Sequence, residues 1–120
     1  MSERLTVTVE RPDQIVAILR PDGYINASGG EEIAKEAYAL LGSGVVNLLL
    51  DLERTRIVNS IGISILIEIL EKVLDQKGRL AFCRLTPTIE KTFQIMGLAQ
   101  YARLFPAVDP ALSWLRGETE

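Results

Sequence analysis

From residue 5 the chain alternates apolar and polar side chains as Leu5-Thr6-Val7-Thr8-Val9-Glu10. A second run rich in β-formers, Ile15-Val16-Ala17-Ile18-Leu19-Arg20, follows after Arg11-Pro12-Asp13-Gln14. Two such runs on either side of turn residues predict a β-hairpin, ended by Pro21-Asp22-Gly23. Ser28-Gly29-Gly30-Glu31 has the spacing of a capping box, which predicts a helix from about residue 29 to 41, stopped by Gly42-Ser43-Gly44. Residues 45–52, Val-Val-Asn-Leu-Leu-Leu-Asp-Leu, form a nearly continuous apolar run of strand length, the mark of a central strand covered on both faces. Ile57-Val58 leads through Asn59-Ser60 into residues 61–74, too long an apolar segment for a strand and therefore a helix, with Gly78 as its stop. Residues 79–85 read as the next strand, and Thr86-Pro87 as an N-cap followed by proline at the first helical position, opening a helix to about residue 96 that ends at Gly97. Leu104-Phe105 is a short strand, and Asp109-Pro110 repeats the cap-and-proline signal for a last helix through 115.

The order β, β, α, β, α, β, α, β, α predicts an α/β fold. Parallel strands need crossovers of one hand, and stepwise addition in one direction puts the crossover helices on the same side. The expectation is an open mixed sheet with an N-terminal hairpin and about four helices, mainly on one face. The chain has 120 residues, 48% of them hydrophobic, enough for one compact domain over residues 1–120.

Charge and residue usage narrow the chemistry. Thirteen basic against sixteen acidic residues give a net charge of −3 with the signs interspersed, which argues against nucleic acid or an anionic membrane as the main partner. There is no histidine, so the usual general base and the commonest metal ligand are missing. The single cysteine, Cys83, can form neither an internal disulfide nor a CxxC pair, and its apolar strand predicts a buried small hydrophobe and not a nucleophile. The first residues lack the pattern of a signal peptide and no apolar run approaches the about 20 residues that span a bilayer, so a cytoplasmic protein without direct membrane insertion is expected. No cofactor or metal motif is read: Ser28-Gly29-Gly30 is too short for a phosphate loop, and Glu31-Glu32 reads as dipole compensation at a helix start.

At about 100° per residue, Ser60, Ser64, Glu68, Glu71, Lys72 and Asp75 share one polar arc of the second helix. Ile65, Leu66, Ile69 and Val73 lie in the apolar arc and are expected to pack deeply. Ile67 and Leu74 sit at its margin and Ile61 intrudes on the polar side, so Ile61 and Ile67 offer an apolar rim that a partner could cover. Ser60 and Asn59 are both competent helix caps. Arg54 and Arg56 read as solvated loop charges, and Trp114, with Leu112 and Leu115, as a lid on the core.

The segment 45–51, a loop, and then Ile57-Val58-Asn59-Ser60-Ile61-Gly62-Ile63 opening an apolar helix resemble the signature of STAS domains of the anti-sigma factor antagonist type, a bacterial family. Gly23-Tyr24-Ile25-Asn26 sits where these proteins have a Gly-x-Leu-Asp turn, and Pro87-Thr88-Ile89-Glu90-Lys91-Thr92-Phe93 through Met96-Gly97-Leu98 matches their third-helix pattern. The family motif is usually Asp-Ser-Ser-Gly or Asp-Ser-Thr-Gly, its first serine phosphorylated by a partner kinase. Ser60 and Gly62 match it, whereas Asn59 stands for the acidic residue and Ile61 for the small hydroxyl residue. The resemblance implies a STAS-like sheet and a non-enzymatic regulator without cofactor that binds a serine kinase/anti-sigma factor. It places partner contacts at Asn59, Ser60, Ile61, Gly62, Ile63, Ser64, Ile67 and Asn26, the phosphate on Ser60, and a phosphatase in opposition. A cap at Ser60 or Asn59 is the structural alternative for that motif, and a STAS subunit of a membrane-transporter ATPase complex is the alternative function. The sequence leaves the oligomeric state open.

Overall fold

The computed structural model describes residues 4–118. Strand β1 (Thr6–Glu10) pairs antiparallel with β2 (Val16–Asp22), closing the expected hairpin with Val9 opposite Leu19. Asp13 holds the turn, its Oδ1 accepting the backbone N–H groups of Ile15 and Val16 and its other oxygen accepting from Arg116. Helix α1 (Ala27–Gly42), strand β3 (Asn47–Asp51), helix α2 (Ser60–Asp75) and strand β4 (Arg79–Cys83) follow as two crossover units. Helix α3 (Pro87–Ile95), a single helical turn α4 (Leu98–Tyr101), strand β5 (Arg103–Phe105) and helix α5 (Val108–Leu115) complete the chain. The five strands lie in the order β1-β2-β3-β4-β5, parallel from β2 onward.

Strand β3 is the middle of the sheet, and its side chains show why it reads as continuously apolar. Leu48 and Leu50 enter a large core beneath α1, α2, α3 and α4, while Leu49 points the other way into a smaller core beneath α5. Successive side chains of a strand face opposite sides, so a strand covered twice is apolar at every step. In the larger core Ile33, Ala37 and Leu41 of α1 and Leu66, Ile69 and Val73 of α2 pack over Ala17, Leu19, Leu80 and Phe82. Phe93 of α3 meets Phe82 edge to face at 5.0 Å between ring centroids. In the smaller core Ala111 and Leu115 lie on Val16, Ile18, Ala81 and Cys83, with Trp114 half-buried at 5.9 Å from the Phe105 ring and under the Arg79 and Arg103 guanidinium groups.

Four local expectations are corrected. Asn26, not Ser28, caps α1: its side chain accepts the Gly29 N–H at 2.8 Å, and Ser28 lies inside the first turn. Glu31 and Glu32 consequently fall beyond that turn and do not compensate its dipole. Asp109 does not cap α5, which starts at Val108 after Ala107 with no side-chain cap, and Asp109 sits in its first turn. The helical turn α4 is an addition, so five helices are present among the described residues, with α5 alone on the second face. Among the described residues no helix is long and apolar enough to cross a membrane.

Candidate functional site

The loops that precede α1 and α2 are stitched together. Ile25 forms a parallel bridge with Val58, its N–H donating to the Ile57 carbonyl at 3.0 Å and its own carbonyl accepting from Asn59 N–H at 3.1 Å. Farther along, Gly23 N–H donates to the Arg54 carbonyl. Each loop then ends in an asparagine cap: Asn26 accepts from Gly29 N–H, and Asn59 accepts from Gly62 N–H at 2.8 Å. The two helices therefore start side by side with their free N–H ends and dipoles facing the same surface.

Glycine makes this approach possible. A Cβ on Gly62 would lie 2.1 Å from the Ile25 carbonyl oxygen, and one on Gly29 would lie 2.2 Å from the Tyr24 carbonyl oxygen. Both are far inside van der Waals contact, so only glycine at these third helical positions lets the bridging backbone pass over the helix start.

With Asn59 acting as the cap, Ser60 is free for other work. It is the first residue of α2 and exposed, and its hydroxyl makes no hydrogen bond among the described residues. The capping alternative thus falls to Asn59. The other serine of the arc, Ser64, is exposed but its hydroxyl is engaged, donating to the Ser60 carbonyl at 3.1 Å as helix serines often do.

Around Ser60 the surface is apolar. Ile57 is 57% exposed, Ile61 54% and Tyr24 43%. Ile67 and Ile65 are half-buried against the core, whereas Ile63 is 2% exposed and serves packing, and Gly62 is buried under Ile25. Asn26 is half-buried beside the bridge. A shallow groove of about 280 Å³ beside this patch is lined by Asp22, Gly23, Tyr24, Arg54, Arg56 and Ile57. Arg54 approaches Asp22 at 3.6 Å with both side chains mostly in water, which is worth little. Ile57 opens the 57–67 segment through which the resemblance implies docking, whereas Tyr24, two residues before Asn26, was not expected as a contact.

A second polar cluster, on the opposite face of the sheet, was also not singled out. The Asp51 carboxylate, at the end of β3 and buried, accepts from Arg20 Nε at 3.1 Å, from Arg84 Nε at 3.1 Å and Nη2, and from Glu53 N–H at 3.2 Å. Burial alone would raise its pKa, but the Arg84, Glu53 and Arg20 hydrogen bonds outweigh burial and hold it below the usual carboxylate range. Arg84 follows β4 in a left-handed conformation, φ 59°, with its N–H on the Phe105 carbonyl. In an extended strand it would point with Phe82 into the larger core, and the left-handed turn returns its side chain to the Asp51 side. The cost of that backbone, roughly 1–2 kcal/mol, is offset by the two-nitrogen grip on Asp51. Cys83 lies beside this cluster with no exposure, and burial together with the Asp51 charge pushes its thiol up to about 12. It is unreactive, as its sequence context predicts.

Comparison with known proteins places this architecture. The STAS domain family model matches residues 6–111. A Bordetella bronchiseptica protein named "Putative anti-sigma factor antagonist BtrV" is 24% identical over 106 residues, spanning 88% of this chain and 87% of its own length. The crystal structure of an anti-sigma factor antagonist from Mycobacterium paratuberculosis superposes with a TM-score of 0.82 at 24% identity, over 93% of this chain and 94% of the other. The Bacillus cell fate determinant SpoIIAA, in its phosphorylated form, superposes with a TM-score of 0.72 at 18% identity, over 89% of this chain and 96% of that one. With its hairpin-led five-stranded sheet and a family match over nearly its whole length, this chain belongs to the STAS domain family, in which its relatives are named as anti-sigma factor antagonists.

Proposed function

We propose that the chain is a non-enzymatic binding module that docks a serine kinase/anti-sigma factor through the patch around the α2 N-terminus, and that phosphorylation of Ser60 releases the partner. The observation that carries this reading is the division of labour at the helix start. Asn59 satisfies the cap, Ser64 satisfies its own hydroxyl, and Ser60 presents a hydroxyl unengaged among the described residues beside exposed Ile57, Ile61 and Tyr24. A phosphate there meets the remaining N–H groups of the first turn and the positive end of the helix dipole, so the modified domain stays folded. The same phosphate brings about −1.5 to −2 charges into an apolar contact, which a partner that buries Ile61 and Ile67 would have to desolvate. A phosphatase resets the surface. A relative whose structure is described in a phosphorylated form supports a phosphate switch on this fold. Asn59 and Ile61, in place of an acid and a small hydroxyl residue, reduce the charge and add bulk beside the acceptor, which suits a kinase adapted to this motif.

The partner is recovered by pull-down from the source organism and identified by mass spectrometry. Incubation with that kinase and ATP should place phosphate on Ser60 and leave Ser60→Ala unmodified. Ser60→Asp should lower partner affinity by about tenfold or more, roughly 1.4 kcal/mol, and Ile67→Glu should do the same without unfolding the domain. Phosphate on Ser64 or nowhere, or full affinity in Ser60→Asp, overturns the switch. Capture of a transporter ATPase in place of a kinase replaces the reading with that of a structural subunit.

A further inference from the structure

One edge of the sheet is unusually open. Strand β5 closes one side with only three residues, but β1 presents five residues, none of them proline or lysine, and all lie exposed or half-exposed. Among the described residues no other strand pairs with its outer side. Natural edge strands are ordinarily short, bulged or studded with lysine and proline, because a free row of N–H and C=O groups templates a further strand.

The residues of this edge are complementary to themselves. On the face that α5 leaves uncovered, β1 carries Thr6, Thr8 and Glu10, and Arg4, two residues before the strand begins, continues that alternation; on the α1 face the chain reads Leu5, Val7, Val9. Turned antiparallel onto a second copy about Val7, the row places Arg4 opposite Glu10, Thr6 opposite Thr8, Leu5 opposite Val9, and Val7 opposite itself. Opposite charges, threonine pairs and β-branched pairs are the cross-strand partners that stabilise antiparallel strands. The neighbouring registers that keep both faces aligned are poorer. A shift of one residue of each strand toward the C-terminus sets Leu5 against Arg11 and Thr6 against Glu10, and the opposite shift leaves Glu10 without its cation. Glu10 already accepts from Arg20 through Oε1, and its other oxygen makes no hydrogen bond among the described residues and can receive Arg4 of the second copy. Val9, 38% exposed, would be covered in the process.

We propose that the β1 edge is a homodimerisation site, in which two copies pair their first strands antiparallel about a two-fold axis at Val7 and join their sheets into one of ten strands. The interface is isologous, so the Arg4–Glu10 contact forms twice. It is a single strand pair, and the dimer is therefore concentration-dependent and salt-sensitive.

The register makes the test specific. Residues directly opposite one another on antiparallel strands have Cα atoms about 4.5–5.5 Å apart, within the reach of a disulfide. Val7→Cys should therefore form a covalent dimer under mild oxidation, whereas Val9→Cys, facing Leu5 of the other copy, should not. Cys83 is buried and does not compete. In sedimentation equilibrium, Arg4→Glu and Glu10→Arg should each weaken self-association by roughly tenfold, and the doubly exchanged protein should recover it. Loss of the Arg20 contact in Glu10→Arg is a surface change that leaves the fold intact. Equal cross-linking of the two cysteine variants, cross-linking of neither, or a double exchange that fails to restore association would each overturn the proposal.

Discussion

Adding one methyl group at Gly62 should have the opposite effect from the one helix propensity predicts. In an exposed helix, glycine to alanine stabilises by about 1 kcal/mol because alanine is the better helix former. At Gly62 the new Cβ would stand 2.1 Å from the Ile25 carbonyl oxygen, 2.8 Å from its carbon and 2.9 Å from Ile25 Cγ2. The nearest atoms are backbone and cannot swing aside. Relief requires Ile25 to lift away from α2, which strains or breaks the Ile25-to-Ile57 and Asn59-to-Ile25 hydrogen bonds. Two such bonds are worth about 1–3 kcal/mol net, and forced overpacking costs a further 1–3 kcal/mol or so. After the propensity gain, Gly62→Ala should be destabilised by about 1–5 kcal/mol. Gly42, the last residue of α1, provides the internal control, because a Cβ there meets nothing within 4 Å. Gly42→Ala should be neutral or slightly stabilising. Urea unfolding followed by circular dichroism reads both as midpoint shifts at constant slope. A Gly62→Ala protein as stable as the parent, or ranked above Gly42→Ala, would refute the claim that the bridge dictates glycine here.

Two further predictions concern single side chains. Asn59→Ala should cost about 0.5–2 kcal/mol by removing the α2 cap, whereas Ser60→Ala should stay within about 0.5 kcal/mol because the hydroxyl supports nothing; equal losses in urea titration would return the cap to Ser60. Asp51 titrates below its unfolded value, so its contribution is complete above the ordinary carboxylate range and is lost as pH falls through the lowered folded value. Stability should therefore drop on acidification from about pH 5 downward, and Asp51→Asn should flatten that drop, leaving the part due to Asp13, whose carboxyl is also lowered, chiefly by the Ile15 N–H. Near neutral pH the same variant should lose stability toward the low end of the roughly 3–5 kcal/mol seen when a buried pair is broken, since Arg20 and Arg84 both reach solvent. An Asp51→Asn protein with the parent's acid profile would contradict this account.

The elements were legible wherever one short-range pattern decided them. The alternation of 5–10, the doubly covered run in β3 and the apolar arc of α2 each correspond to an observed surface, down to Ile61 and Ile67 at the rim, although Ile65, expected to pack deeply, is only half-buried where α2 meets Gly30 of α1. What escaped depended on contacts distant in sequence. Asn26 and Ser28 are equally good caps, and the choice was made by Ile25 pairing with Val58, thirty-three positions on. The turn α4 is too short to show a period, and Gly97 before it reads only as a stop. The Asp51 cluster had a usable signal: Arg20 near the end of β2, Asp51 at the end of β3 and Arg84 just past β4 fall on three neighbouring parallel strands, and an acid closing an apolar central strand needs partners. Finding Arg84 required its left-handed backbone, which no local pattern announces.

The bridge between Ile25 and Val58 also has a consequence for the kinetics of association. Loops that carry a binding surface ordinarily lose conformational entropy when they dock, about 1–2 kcal/mol for each residue whose backbone is fixed. Here the backbone on both sides of the exposed apolar patch is already held, by pairing at Ile25, Ile57 and Asn59 and by two asparagine caps. That ordering cost is met once, during folding. A partner docking on Tyr24, Ile57 and Ile61, as proposed, would meet a rigid template, and its capture should then proceed as a single bimolecular step at a rate set by diffusion and orientation, with no slower rearrangement of this chain to follow.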